Sequence, residues 1–356
     1  MNGTLRRVAG CMLVAAGLAF AAVTNTATGQ PASRPTSQPA TGAAPVDPKL
    51  KAAQDKLRLD LATLPYRLVH ETNINRKREL HAMNADGTAA VNLSKDAKWR
   101  EMYPHCTVDG TKICFTCDEG EGADKSRNVY YMNSDGTGRK LVAKNARDGC
   151  WNRDGTVIAY CKGEFDKWVD TDYASKGIAF YDLKTGQTRE HPNKELHHLY
   201  VICWSPDGKW LLATVHGGMG FDHAILAIEA DGTKVSQIKG INGCRPDISP
   251  DGKRLSWNRT DQEIGLADLD LGGEAPTVSN VRTVISCDKK HMVYHADWSP
   301  DGRFIAFDLG PSAEGIKEKI RGTNICVADA SQINVWVPVT TDGASNMEPD
   351  WLPAAK

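Results

Sequence analysis

The stretch WSPDGKWLLATV, residues 204–215, couples a sharp turn to a short apolar strand. Asp207-Gly208 supplies the positive backbone φ that a tight hairpin needs. Pro206 fixes φ just before the turn. The phrase returns as ISPDGKRLSWNR from Ile248 and WSPDGRFIAFDL from Trp298, with looser copies CTVDGTKICFTC from Cys106 and WNRDGTVIAYCK from Trp151. The Asp-Gly pairs begin at 109, 154, 207, 251 and 301, so the repeat recurs every 44 to 53 residues.

A second phrase follows each first one. It reads NVYYMNSDGTGRKLV, GIAFYDLKTGQTREH, AILAIEADGTKVSQI and NICVADASQINVWVP, with a looser fifth copy, IGLADLDLGGEAPTV. Each is an apolar strand, a turn and a polar outer strand. Two hairpins per period make four antiparallel strands, which is one propeller blade. The first copy of the second phrase, ELHAMNADGTAAVNL, follows YRLVHETN with no first half before it. The chain's end, NMEPDWLP, matches the missing inner strand. The expectation is an all-β, six-bladed ring of four-stranded antiparallel blades, closed when the C-terminal strand completes the first blade and leaves no exposed edge.

The combination MNADGT…L…PxWSPDGKxIAF resembles the TolB-like propeller repeat over roughly residues 65–353. The resemblance implies a six-bladed ring with a central channel, common in periplasmic proteins that bind proteins or glycans. The same repeat occurs beside peptidase domains and in pectic-oligosaccharide lyases. TolB proper carries an N-terminal α/β domain, whereas a linker and one short helix are expected before the blades here, which points away from the Tol envelope system.

Upstream of the repeats, Arg6 and Arg7 precede the uncharged apolar run Val8–Val23, and Ala27-Thr28-Gly29 fits a cleavage site before Gln30. Residues 1–29 read as a secretory signal. Residues 30–46, rich in Pro, Ala, Ser and Thr, read as a disordered linker. Asp47-Pro48 starts a helix, and Leu50, Ala53, Leu57 and Leu61 give residues 47–64 a short amphipathic helix that covers one face or edge of the propeller, residues 65–356. The protein is thus expected to be periplasmic or secreted, with no membrane span after signal cleavage. A net charge of −1 supplies no general attraction to nucleic acid or anionic membrane. Of ten cysteines, Cys11 lies in the signal, leaving an odd nine. Cys114 and Cys117 fall on opposite faces of one strand and read as small buried fillers rather than a redox pair.

The Asp-Gly turns are uniform and share one face. The opposite face gathers longer, varied segments, including 117–128, 163–177, 189–198, 216–223, 258–263 and 310–324. Binding sites concentrate on such loops. There, His197, His198, His216 and His223 form a candidate metal set for a divalent ion. His105 and His295, just before the hairpins of the inner strands, join Arg245, Asp247 and Asp297 as channel residues suited to a cation, an acidic group or a sugar. Trp168 and Tyr200 are candidate stacking or anchoring aromatics. Nucleophile-elbow, zincin and phosphate-loop signatures are missing. The leading reading is a non-enzymatic scaffold that holds a protein or peptide on the long-loop face. The alternative is a metal-assisted, carbohydrate-active lyase of the oligogalacturonate type, with Arg147 or Arg245 facing the uronate.

Overall fold

The computed structural model describes residues 47–74, 77–95, 98–166 and 168–354. The signal and linker segments lie outside these residues. The repeats form six four-stranded antiparallel sheets. In blades two to six the chain runs outward from the axis, and the inner strands are Arg100–Cys106, Ala146–Trp151, Leu199–Trp204, Cys244–Ile248 and His291–Trp298. Blade one takes its inner strand from the other end of the chain. Ser345–Pro353 pairs antiparallel with Tyr66–Ile74, so the expected closure is present. The loose phrase of blade five still makes its hairpin, with an outer strand, Thr277–Ser286, of 10 residues.

The repeated turn is built differently from a simple two-residue hairpin. In Ser205-Pro206-Asp207-Gly208, only the glycine takes positive φ, +73°, and its N–H bonds Ser205 O at 2.9 Å. Ser205 N–H in turn donates to Trp210 O at 2.8 Å, so the loop has four residues, Pro206 to Lys209, a turn closed by a left-handed glycine. The serine and aspartate lock it: Ser205 Oγ donates to Asp207 Oδ1 at 2.6 Å and accepts from Trp210 N–H at 2.9 Å. In the outer hairpins the glycine also permits close approach between blades. A Cβ on Gly87 would stand 1.9 Å from Val339 O, and one on Gly136 would stand 2.4 Å from Leu93 O.

Apolar side chains from facing sheets fill the seams between blades. The helix Pro48–Ala62 lies on the seam of blades six and one, where Leu57 and Leu61 are buried among Leu68, Met83, Phe304, Val327 and Trp351. Leu50 and Ala53 pack beside them, as the helical spacing predicts. Trp151, Trp298 and Trp351 are buried at one repeat position. Cys114 and Cys117 are both buried thiols, and no disulfide forms among the described residues.

Each inner strand contains a register shift, marked by one non-glycine residue with positive φ: Tyr103, Asp148, Val201, Arg245, His295 and Glu348, at +47° to +55°. A bulge leaves ladder groups unpaired, and buried N–H groups must be satisfied. Side chains of the preceding blade accept them. Asp247 Oδ2 accepts from Trp298 N–H at 3.1 Å, Asp297 Oδ1 from Trp351 N–H at 3.2 Å, and Asp350 Oδ1 from Cys106 N–H at 3.0 Å. Trp351 also donates its indole N–H to Asp297 O at 3.2 Å.

Trp351 therefore fills the closing seam and latches it. Trp351→Ala is expected to destabilise the protein by about 3–5 kcal/mol through the lost burial and the cavity left behind. Urea denaturation checks this; an unchanged midpoint would mean that the ring does not depend on this strand.

Candidate functional site

The inner-strand bulge builds the channel in two layers. The left-handed residues form the upper layer, on the long-loop side. Two residues further along, His105, Cys150, Cys203, Asp247, Asp297 and Asp350 form a deeper layer. His105 and His295 therefore do not belong together, although both precede a hairpin. His295 stands in the upper layer. His105 lies one layer down, where Nδ1 accepts from Trp151 N–H at 3.4 Å and burial pushes its pKa down to about 4.

Arg245 organises the upper layer. The residue is 8% exposed, and its guanidinium carbon sits 5.4 Å from the Tyr200 ring centroid and 5.2 Å from the Tyr294 ring centroid. Such a cation is stabilised by the ring faces. Nε donates to His295 Nε2 at 3.1 Å, and His295 Nδ1 donates to Asp308 Oδ2 at 2.9 Å. The two bonds together fix the imidazole's tautomer. Glu348 Oε1 stands 3.6 Å from His295 Nε2, and Glu348 Oε2 accepts from Tyr103 N–H at 3.1 Å. Burial raises the Glu348 carboxyl well above the ordinary range, and Glu71 adds to the rise.

Two further arginines face the same mouth. Arg127, 4% exposed, holds Asp118 in a fork of 2.7 and 3.1 Å. Arg147 is 3% exposed, and its Nη1 donates to Thr171 O and, at 3.3 Å, to Asp172 O. Sequence reading placed Asp118 and Arg127 within segment 117–128 of the long-loop face without singling them out, and missed Tyr103 and Asp308. The available signal was a charged residue inside otherwise apolar strands, as in SRNVYYMN and FIAFDLGP.

The deeper layer is acidic. Burial pushes Asp247 up to about 7 and Asp350 up to about 8. Asp297 is raised well above its ordinary value by burial and by Asp350 and Asp247 beside it. Three carboxyl groups at one level, Asp350 buried and Asp247 and Asp297 half-buried, resist simultaneous ionisation.

The four candidate metal histidines stand near one another without converging. Ring centroids are 5.0 Å apart for His197 and His198, and 5.5 Å apart for His216 and His223. His197 commits both nitrogens to the main chain: Nδ1 donates to Glu195 O at 2.7 Å and Nε2 accepts from Met219 N–H at 3.1 Å. His198 uses Nδ1 on Gly217 O at 3.0 Å and faces Glu164 at 3.4 Å. His216 stacks on Tyr173 at 4.4 Å, and His223 Nε2 meets Tyr200 Oη at 3.1 Å. Among the described residues, no group of three or more His, Cys, Asp or Glu side chains is placed to hold a metal ion. Trp168 lies over the mouth with Lys125 Nζ 3.2 Å from its ring centroid.

A six-bladed propeller closed by its C-terminal strand, with a polar channel and one elaborated face, defines the class. Within that class the fold is TolB-like. TolB of Acinetobacter baumannii superposes with a TM-score of 0.59 at 16% identity, over 81% of this chain and 67% of that one. A TolB of Agrobacterium tumefaciens gives 0.52 at 16%, over 80% and 91%. In sequence, dipeptidyl-peptidase 5 of Porphyromonas gingivalis is 24% identical over 282 residues, 67% of this chain. The chain spans 41% of that relative's length. No protein-family model matches the chain. Among the described residues, no helix is long and apolar enough to cross a membrane.

The deep carboxyl groups set a pH dependence of folding. Their native pKa values of about 7 and about 8 lie above an unfolded value of about 3.9, so the native state holds more protons between those limits. Stability then falls as pH rises through this window. The denaturant midpoint is expected to drop between about pH 5 and about pH 8, and Asp350→Asn should flatten the drop. A midpoint that rises over this range would overturn the assignment.

Proposed function

We propose that this is an exported propeller that binds a protein or peptide partner through its long-loop face, with the channel mouth as the binding site. One observation carries the reading. Six positions made equivalent by the repeat hold six different residues, Tyr103, Asp148, Val201, Arg245, His295 and Glu348, all in a backbone conformation that costs energy outside glycine. Simple closure of a ring asks for no such variety. On the opposite face, the Asp-Gly turns keep one chemistry throughout. Variation confined to one end of a regular scaffold is how repeat architectures carry a site.

The likeness to a dipeptidyl-peptidase supports a peptide as the class of partner, and the TolB-like fold supports a protein. The signal-like segment of Arg6, Arg7 and Val8–Val23 supports export.

Selection of a displayed random peptide library on the purified protein tests this. Enriched peptides are expected to lose binding to Arg245→Met and to keep it on Lys209→Ala, an exposed change at an Asp-Gly turn. Two results count against the proposal: no enrichment, or enriched peptides that respond only to Lys209→Ala.

A further inference from the structure

The segment Trp168–Ala174, between the second and third strands of blade three, crosses the mouth to side chains of blades two, four and five. Near its start, Trp168 lies under Lys125 of blade two. Near its end, Tyr173 stacks on His216 of blade four. Between them, Asp172 reaches two opposite walls. Oδ1 accepts from Tyr103 Oη of blade two at 3.3 Å, and Oδ2 stands 3.7 Å from Arg245 Nη2 of blade five.

Three buried guanidinium groups converge on this short segment. Their contacts differ from the permanent pairs nearby. Arg127 holds Asp118 with two close bonds, while the segment reaches it through the exposed Asp170 at 3.2 Å and through Asp172 at 4.0 Å. Asp172 is Arg245's only ion pair among the described residues, and it stays 30% exposed. Arg147 bonds the carbonyls of Thr171 and Asp172 rather than a carboxylate, and its Nε is buried without a hydrogen-bond partner. Burial and the Arg127 charge push the Arg147 pKa down by more than the nearby Asp148 and Asp172 raise it. Buried cations of this kind call for a closer, forked carboxylate.

Resting on the peptide-binding reading above, we propose that the mouth receives an aspartate- or glutamate-bearing segment of a partner protein. Trp168–Ala174 occupies the site in the free protein as an internal mimic. The segment shows what is recognised. Arg147 takes main-chain carbonyls of Thr171 and Asp172, while Arg245, Arg127 and Tyr103 address a side-chain carboxylate. Carbonyl and carboxylate together are the signature of an acidic peptide. An unmodified uronate such as galacturonate offers the carboxylate without the amide carbonyl. A partner's carboxylate that reaches Arg245 at fork distance replaces the loose Asp172 contact with a close one, its main-chain carbonyls take over Arg147, and the segment swings aside.

The test uses labelled tetraglutamate, with tetraglutamine and trigalacturonate as competitors, on the purified protein and on Asp172→Asn. Removing the internal carboxylate raises the fraction of open sites, so Asp172→Asn is expected to bind tetraglutamate about tenfold more tightly than the parent protein. Tetraglutamine should not compete, and adding Arg245→Gln should abolish the gain. Equal affinity in parent and Asp172→Asn, or no binding to Asp172→Asn, overturns the proposal. Preference for trigalacturonate overturns the peptide assignment. If library peptides still enrich through Arg245 while tetraglutamate fails, only this inference falls. If both fail, the peptide-binding reading falls with it.

Discussion

The ring depends on how each inner strand answers its own bulge. The bulge turns one residue into the left-handed region and leaves a backbone N–H facing the preceding blade. A side chain of that preceding blade, two positions beyond its own bulge, accepts an N–H of the blade that follows. Asp247 serves Trp298, Asp297 serves Trp351, Asp350 serves Cys106 and His105 serves Trp151. The series passes through the junction where the chain's two ends meet, so the closing blade is held by the same contact as its neighbours. Blades three and four place Cys150 and Cys203 at this level. There, upper-layer contacts continue the chain, from Val201 N–H to Asp148 at 3.3 Å and from Arg245 N–H to Thr214 at 2.7 Å.

This construction has an electrostatic consequence. An acceptor that must sit at the axis, away from water, is a carboxyl in three of the four latches named. Desolvation disfavours its charged form, and its neighbours in the same layer disfavour it further. A protonated carboxyl still accepts an N–H, so the latch survives while the charge is lost. The same geometry re-aims the residue two positions earlier towards the channel mouth. Structural and binding side chains thus alternate along one strand, and neither layer can move without the other.

The architecture was legible because its signals are local and repeated. Asp-Gly pairs mark the turns, tryptophans mark the seams, and the fragment NMEPDWLP announces the closing strand by matching HADWSP. The bulge was harder to see, although Pro104, Pro246 and Pro349 recur just after the left-handed residue. Without it, His105 and His295 look equivalent, because both stand shortly before a hairpin; a shift of two residues puts them in different layers. The histidine set looked like ligands because backbone carbonyls and amides leave no trace in a sequence, yet they are what His197 bonds. Arg245 was recognised as a channel residue, but its tyrosine walls come from blades four and six, and only the ring brings them together.

The strongest distinction at the mouth is between bonds that are finished and bonds that are not. Arg127 and Asp118 form a forked pair in a buried setting, and replacing either leaves an uncompensated charge. Asp172 instead lies between donors at 3.3 to 4.0 Å from several walls and satisfies none of them closely. A plug whose only task was to seal the channel would gain by closing those distances or by offering apolar side chains. A segment that must leave when a partner arrives gains nothing from a tight carboxylate pair, and its close bond from Arg147 to Thr171 O is one that a partner's main-chain carbonyl can replace. Loose carboxylate contacts around well-buried cations are therefore the arrangement expected of a site kept covered rather than a channel closed for good.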